Sequence, residues 1–201
     1  VTEAGTRYLV HLLRGQNHGL FLDMAAGRRW VREQVRPGAR VLNLFAYTCA
    51  FSVVALQAGA AEVTNVDMAS GALAIGRSNH ELNGVKAGAR FLAHDIFNSW
   101  GKLTRGGPYD LVVCDPPSFQ KGSFVATKDY ARLARRLPAL LAPGGQALLC
   151  LNAPELGVDF LRSTLEVQAP ELRFVTRLDN PASFADASPE RSLKALVFQA
   201  A

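Results

Sequence analysis

Residues 41–60 read VLNLFAYTCAFSVVALQAGA, and this stretch decides the fold. Its first residues predict a strand that is buried on both faces. A short turn then leads into an apolar run over residues 50–58, which predicts a helix packed against that strand. The order of strand, turn and helix repeats along the chain, as in EVTNVD at 62–67 followed by a helical pattern at 70–82. Such alternation predicts βαβ units, that is, a doubly wound α/β sheet with helices on both faces.

The apolar runs predict seven strands, at residues 40–44, 62–67, 89–93, 110–114, 146–151, 173–178 and 193–198. Helices are predicted at residues 50–58, 70–82, 96–103, 128–141 and 159–168. The last two strands have no long helix between them. We therefore expect them to form a hairpin that places one antiparallel strand at the sheet edge.

A preface of residues 1–36 precedes this sheet, which occupies residues 37–201. Residues 8–13 and 20–23 are expected to pair as a hairpin across residues 14–19, and residues 25–35 to form a helix. No repeat or linker divides the chain, so one domain is predicted.

The composition is that of a folded domain. Of 201 residues, 49% are hydrophobic and 19% are charged, which excludes a mainly disordered chain. No apolar run approaches the roughly 20 residues that a membrane span needs. The three cysteines are odd in number and show no CxxC spacing, so we expect reduced thiols in a cytoplasmic protein and no metal site. The oligomeric state is left open.

The charge of the chain favours an anionic partner. The net charge is +5 and the sequence pI about 9.4, with 17 arginines against 5 lysines. Arginine binds phosphate through two parallel hydrogen bonds, so the bias is mildly in favour of nucleic acid, although codon usage also raises the arginine content. Two clusters could contact RNA phosphates, or could simply be solvated helix faces: Arg28, Arg29, Arg32 and Arg36, and Lys121, Lys128, Arg132, Arg135 and Arg136.

Three carboxylates fall at the ends of three predicted strands: Asp67, Asp95 and Asp115. In a doubly wound sheet these strand ends line the crevice where ligands bind. Asp67 is placed to accept the two hydroxyls of a ribose, and Asp95 an adenine amino hydrogen, although Asp95 also suits a helix N-cap. Together they predict a site for a nucleoside-containing cofactor.

The turn after the first strand of the sheet distinguishes between two such cofactors. A dinucleotide site needs a GxGxxG turn that lets the backbone approach a pyrophosphate, whereas residues 43–50 (NLFAYTCA) contain no glycine. S-adenosylmethionine has no phosphate and carries a sulfonium cation, which aromatic side chains attract. Phe45 and Tyr47 could serve in this way, or could be ordinary packing residues.

At this point three segments resemble a known family. Residues 41–60, VTNVDMASGALAIGRSNHELNG at 63–84 and DLVVCDPPSF at 110–119 resemble the class I S-adenosylmethionine-dependent methyltransferases of the bacterial 23S rRNA large-subunit type. HGLFLDMAAGRRWV at 18–31 resembles the segment that precedes the fold in that family. The resemblance implies a Rossmann-like, mostly parallel seven-stranded sheet whose last strand is antiparallel, and it implies ribosomal RNA as the substrate.

The resemblance also implies roles for individual residues. The cofactor would be held by Asn43, Phe45, Tyr47 and Thr48 at its methionine end, by Asp67 and Met68 at the ribose, and by Asp95 and Ile96 at the adenine, with Asp115 also in contact. The loop of residues 115–119 would face the methyl group and the target base, which makes Asp115, Pro116, Pro117 and Phe119 the implied catalytic residues. Phe119 could stack on a base turned out of its helix, or simply anchor its loop.

Two departures from the family pattern matter. Cys49 stands where many relatives have glycine, so its side chain is expected to crowd the cofactor. Asn152 stands where the 5-methylcytosine enzymes carry a nucleophilic cysteine, and C5 methylation needs such a thiolate. Cys114 and Cys150 are nearby, but they are typical of buried strand residues. We therefore expect methylation of a ring nitrogen or an exocyclic amine.

Two alternatives remain at this stage. One is a methyltransferase-like RNA-binding module that has lost catalysis, which Cys49 and Asn152 keep open. The other is an NAD-dependent oxidoreductase, which the lack of a glycine-rich turn disfavours.

Overall fold

The computed structural model describes residues 1–13, 18–117, 119–120 and 124–184 together with residues 188–201; the side chains of residues 119 and 120 are outside this description. Its strands are β1 (Thr2–Glu3), β2 (Thr6–Arg7), β3 (Arg40–Leu44), β4 (Glu62–Asp67), β5 (Ala89–Ala93), β6 (Tyr109–Cys114), β7 (Phe119–Gln120), β8 (Phe124–Val125), β9 (Leu141–Leu151), β10 (Leu172–Leu178) and β11 (Lys194–Ala200). Its α-helices are α1 (Ala25–Gln34), α2 (Ala50–Gln57), α3 (Ser70–Leu82), α4 (Trp100–Gly106), α5 (Ala126–Ala134), α6 (Leu137–Leu140) and α7 (Val158–Gln168).

The predicted seven-stranded sheet is confirmed, with the order β10-β11-β9-β6-β3-β4-β5. Strands β3, β4, β5, β6 and β9 pair in parallel, whereas β11 is antiparallel to both of its neighbours. Strands β4 and β5 lie on one side of β3 in the sheet, and the chain then returns to place β6 on the other side of β3. The crevice at the carboxyl ends of β3 and β6 is therefore the topological switch point, where ligands bind in such sheets.

The prediction that the antiparallel strand lies at the sheet edge is wrong. Strand β10 forms the edge, and β11 inserts between β10 and β9. Burial gives the physical reason. The first five residues of β11 are all buried, as an interior strand requires, whereas only the first of the seven residues of β10 is buried.

The predicted hairpin between residues 8–13 and 20–23 is also wrong. The described residues of these two segments form no strand, and Leu22–Met24 is a short 3-10 helix. The hairpin lies earlier, between β1 and β2, because Ala4 and Gly5 both adopt positive φ, which suits a tight two-residue turn. Tyr8 and Leu20 instead bury their side chains with Val54 of α2.

The predicted helix over residues 128–141 is two helices, α5 and α6, which a turn at residues 135–136 separates, and residue 141 already belongs to β9. Pro138 lies in the first turn of α6, where its missing N–H costs nothing; within one continuous helix it would break a hydrogen bond.

Helices cover both faces of the sheet, as predicted. One core joins α5, α6 and α7 to the sheet through residues such as Tyr130, Leu133 and Leu161. The other joins α1 and α2 to the opposite face through Val31, Phe51 and Ala55, among others. Among the residues that the structure describes, no helix combines the length and the apolar character needed to cross a bilayer.

Candidate active site

A cavity of about 370 Å³ opens at the carboxyl ends of β3, β4, β5 and β6, where the sequence predicts the site. This size falls in the usual range for a site that holds a small-molecule cofactor. The predicted site residues that line the cavity are Phe45, Tyr47, Asp67, Met68, Asp95, Ile96, Asp115, Pro116 and Pro117.

The turn after β3 has an unusual backbone. Phe45, Tyr47 and Cys49 have φ values of 55°, 46° and 61°, in the left-handed region that residues with a side chain rarely adopt. Each such residue costs on the order of 1 kcal/mol or more, so surrounding contacts must hold the turn. Asp67 provides one contact, because the Tyr47 N–H donates to its Oδ2 at 2.8 Å.

Asp67 therefore joins two elements at the cavity. Its Oδ1 also accepts a hydrogen bond of 2.8 Å from the Ala69 N–H, just before α3 begins. Each carboxylate oxygen has a second lone pair, so both can still accept a hydrogen bond from a ligand.

Asp95 has a similar double role at the end of β5. Its Oδ1 accepts from the Phe97 N–H at 2.8 Å and its Oδ2 accepts from Asn98 Nδ2 at 2.7 Å. Asp95 is thus the N-cap that the sequence allowed, and it lines the cavity as well. The cap fixes the carboxylate in one orientation toward any ligand.

Asp115 is the most perturbed acid of the site. Burial and, to a smaller extent, the charge of Asp23 raise the pKa of its carboxyl from 3.8 to about 7, against the opposing effect of Arg28. The Cys150 thiol also hydrogen-bonds to this carboxylate, which favours the ionised form. Near neutral pH the group is thus present in both protonation states.

Two predicted cofactor residues do not line the cavity. Asn43 is buried within β3, and its Nδ2 donates to Asn65 Oδ1 on the neighbouring strand β4 at 2.9 Å. The Thr48 hydroxyl donates to the Gly19 carbonyl oxygen at 2.6 Å and so ties the turn to the preface. Both are therefore structural partners of the site, and the Phe119 side chain is outside the described residues.

Cys49 does not crowd the cavity, contrary to expectation. Its side chain is fully buried and is not among the residues that line the cavity. The thiol points at α3, where a Cβ added to Gly76 would lie only 2.6 Å from Cys49 Sγ. The missing side chain at residue 76 leaves room for the one at residue 49.

We expect Gly76→Ala to lower the free energy of unfolding by about 1–3 kcal/mol, the usual cost of overpacking. In a Cys49→Gly background the same change should be neutral or slightly stabilising, because the clash is gone and alanine favours the helix. Urea unfolding of the four proteins of this double-mutant cycle measures the coupling. An equal loss in both backgrounds would contradict the contact.

The preface supplies cavity residues that the sequence reasoning missed. Phe21, Asp23 and Met24 line the cavity, and the Phe21 ring lies 5.5 Å from that of Tyr47. The available signal was a lone acid, Asp23, within the apolar run GLFLDM. Other lining residues outside the predicted set are Ala69, Phe97, Asn152 and Leu193.

The three cysteines are buried residues of the core. Cys114 and Cys150 are fully buried, and burial raises the pKa of both thiols well above the usual value. Burial and the charge of Asp67 likewise raise the pKa of Cys49. Thiols of this kind stay protonated and make poor nucleophiles. Among the described residues there is also no group of three or more His, Cys, Asp or Glu side chains arranged to hold a metal.

The two basic clusters have different environments. In the first, Arg28 and Arg32 bind the preface hairpin, Arg28 to Glu3 and Arg32 to the Ala4 carbonyl and the Thr6 hydroxyl, whereas Arg29 and Arg36 are exposed. In the second, the exposed residues are Lys128, Arg132, Arg135 and Arg136, and Lys121 is outside the described residues. Arg132 packs on a residue that lines the cavity, with its guanidinium carbon 4.1 Å from the ring centre of Phe97.

A doubly wound sheet with acids at three strand ends and no phosphate-binding turn defines a site for a nucleoside cofactor that lacks a diphosphate. The sequence profile of the S-adenosylmethionine-dependent methyltransferases matches residues 1–199, and the chain belongs to this family. The cofactor predicted from the sequence, S-adenosylmethionine, is thereby confirmed, and no comparison supports a nicotinamide-dependent enzyme.

Named relatives agree with this assignment. The chain is 39% identical over 152 residues to ribosomal RNA large subunit methyltransferase I of Aeromonas hydrophila, covering 72% of this chain and 37% of that protein. It is 37% identical over 164 residues to ribosomal RNA large subunit methyltransferase K/L of Shewanella loihica, covering 79% and 23%. The crystal structure of SMU.776 complexed with SAH superimposes with a TM-score of 0.90 at 30% identity, covering 98% of this chain and 54% of that one. The chain thus spans well under half the length of these two sequence relatives.

Proposed function

We propose that this protein transfers the methyl group of S-adenosylmethionine directly to a base nitrogen of RNA, with ribosomal RNA as the substrate. The observation that carries the proposal is that Asp115, Pro116 and Pro117 line the same cavity as Asp67 and Asp95. The residues proposed to face the target base and those proposed to bind the cofactor therefore line the same cavity. The names of the relatives support ribosomal RNA as the substrate, which would place the enzyme in the cytoplasm.

The acids would hold the cofactor along its length. Asp67 would accept the ribose hydroxyls, Asp95 the adenine amino group, and Met68 and Ile96 would pack beside them. Phe45 and Tyr47 would face the methionine end. The cofactor supplies a methyl group on a positively charged sulfur, and transfer leaves neutral S-adenosylhomocysteine (SAH).

Asp115 would act on the base that receives the methyl group. A base nitrogen that carries a hydrogen must lose a proton when it gains the methyl group, and the ionised carboxylate of Asp115 can accept a hydrogen bond from that N–H and then the proton. With a pKa of about 7, the carboxyl is ionised often enough to accept the proton and basic enough to hold it. Holding the base in line with the methyl group supplies the remainder of the rate enhancement.

The residues that line the cavity favour methylation of a base nitrogen over methylation of cytosine C5. A C5 reaction needs a thiolate that adds to the ring. Among the described residues no cysteine lines the cavity, and Asn152 lines it at the position where the family resemblance implies a nucleophilic cysteine in the C5 enzymes. The buried, protonated thiols of Cys114 and Cys150 suit no such role.

The exposed basic residues of α5 and of the turn that follows it form the surface that we assign to RNA. Lys128, Arg132, Arg135 and Arg136 are exposed there, and Arg132 stacks on Phe97 at the cavity. Asp129 pairs with Arg132 at 2.7 Å and so neutralises part of this charge. The other three basic side chains can therefore contact the phosphates of an RNA that enters the cavity.

The direct test uses purified protein and methyl-labelled S-adenosylmethionine. Hypomethylated ribosomal RNA should take up label, whereas DNA and bulk protein should not. Nuclease digestion and mass spectrometry then separate N-methyl nucleosides from 5-methylcytidine. Label in 5-methylcytidine would overturn the nitrogen assignment. RNA binding with cofactor binding but no transfer would favour the catalytically impaired module instead.

A further inference from the structure

The cavity is strongly acidic within a basic protein. Among the described residues that line it, the charged side chains are Asp23, Asp67, Asp95 and Asp115, and none is Lys, Arg or His. The whole chain, by contrast, has a net charge of +5. A cavity of this kind favours a ligand with a positive charge, because carboxylates with low-dielectric walls focus the field into the space between them.

Two of these acids already have hydrogen-bond partners within the protein. Both oxygens of Asp67 accept backbone N–H groups, and both oxygens of Asp95 accept from the turn that follows it. Asp23 differs, because no hydrogen bond reaches its carboxylate within the described part of the chain. Its charge instead acts on Asp115, which lines the same cavity just after β6.

The cation whose charge acts on Asp115 is already paired with another carboxylate. Arg28 lies close enough for its charge to act on Asp115. Its Nε and Nη2, however, donate to Glu3 Oε1 and Oε2, both at 2.7 Å, and its side chain is only 3% exposed. The hairpin β1–β2 therefore supplies the carboxylate that pairs directly with Arg28, so that Asp23 and Asp115 have no ion pair with it.

We propose that Asp23, together with Asp115, makes the cavity select the sulfonium form of the cofactor over its demethylated product. S-adenosylmethionine and SAH share the adenosine and amino-acid groups and differ in the methyl group and the charge on sulfur. Loss of that charge on transfer removes the attraction to Asp23 and Asp115, so the product binds weakly and leaves. The inference rests on the proposed methyl-transfer function and assigns Asp23 a specificity role.

The test compares the affinities of the two ligands by calorimetry at pH 8, where Asp115 is mostly ionised. For Asp23→Asn we expect the affinity for S-adenosylmethionine to fall about tenfold, with the affinity for SAH unchanged or higher. The ratio of the two affinities then shrinks about tenfold, which corresponds to roughly 1.4 kcal/mol. Asp95→Asn is the matched control: it lines the same cavity, keeps a capping side chain and should weaken both ligands equally.

A second variant lies outside the cavity. Glu3→Gln leaves every lining residue intact and frees the charge of Arg28, so it should shift the ratio in the same direction as Asp23→Asn. Equal losses for both ligands in Asp23→Asn, with an unchanged ratio in Glu3→Gln, would overturn the inference while leaving the methyltransferase intact. Failure of the wild-type protein to bind either ligand would instead overturn the proposed function itself.

Discussion

Asp115→Asn is expected to slow methyl transfer by roughly 10²- to 10⁴-fold, the usual contribution of a positioned acid–base group. Asparagine keeps the shape and can still accept a hydrogen bond, but it cannot take the proton that the methylated nitrogen must lose. The affinity for S-adenosylmethionine should fall only about tenfold, from loss of the charge near the sulfonium, because Asp67 and Asp95 remain. Single-turnover rates with saturating cofactor separate the two effects.

The same carboxyl predicts how activity depends on pH. Transfer in the wild type should increase as the pH rises through about 7, because the ionised form of Asp115 is the acceptor. The groups that act on its pKa are Asp23, Cys150 and Arg28. A pH profile of Asp115→Asn without this rise would assign the ionisation, whereas an unchanged rise would exclude Asp115 as its source.

The free energy of unfolding should decrease over the pH range in which the activity increases. The pKa of Asp115 is raised in the folded protein, so the neutral form stabilises the fold at pH values below about 4, and this contribution is lost as the pH rises toward 7. Asp115→Asn has no charge to bury. It should therefore be more stable than the wild type at pH 8, and thermal unfolding at pH 4 and pH 8 measures the difference. Greater stability with less activity is expected where a functional acid is held in a costly environment.

The sequence predicts the central strands well for a physical reason. Strands β3, β4 and β5 and helix α3 begin and end at the predicted residues. Each is short, strongly apolar or amphipathic, and bounded by residues that favour turns, so local pattern and tertiary packing agree. Because parallel strands share one carboxyl edge, placing their terminal acids in one cavity then follows from topology.

The preface and the polar core could not be predicted in this way. Residues 18–24 carry no periodic pattern, and Asp23 reaches the cavity only because Gly19, Leu20 and Tyr47 hold the preface against the sheet. Asn43 and Thr48 follow the family motif but turn to internal partners, since a buried amide or hydroxyl must find a hydrogen bond wherever the packing offers one. Such choices depend on contacts between residues far apart in the chain.

Asp67→Ala is expected to weaken the binding of S-adenosylmethionine by about 100-fold or more. The change removes the proposed acceptor of two ribose hydroxyls, and hydrogen bonds to a charged group contribute roughly 1.5–3 kcal/mol each. It also removes the oxygen that holds the Tyr47 N–H in a turn with three left-handed residues. Both losses act on the cofactor end of the cavity, and calorimetry with the cofactor measures their sum.

A control from the same turn separates binding from folding. Thr48→Val removes the hydrogen bond to the Gly19 carbonyl but changes no residue that lines the cavity. It should lower the free energy of unfolding by about 1–3 kcal/mol, the cost of an unsatisfied buried acceptor, with little change in cofactor affinity. Should Asp67→Ala bind S-adenosylmethionine as tightly as Thr48→Val does, Asp67 would be a support for the turn, and the ribose would have to be held by other residues of the cavity.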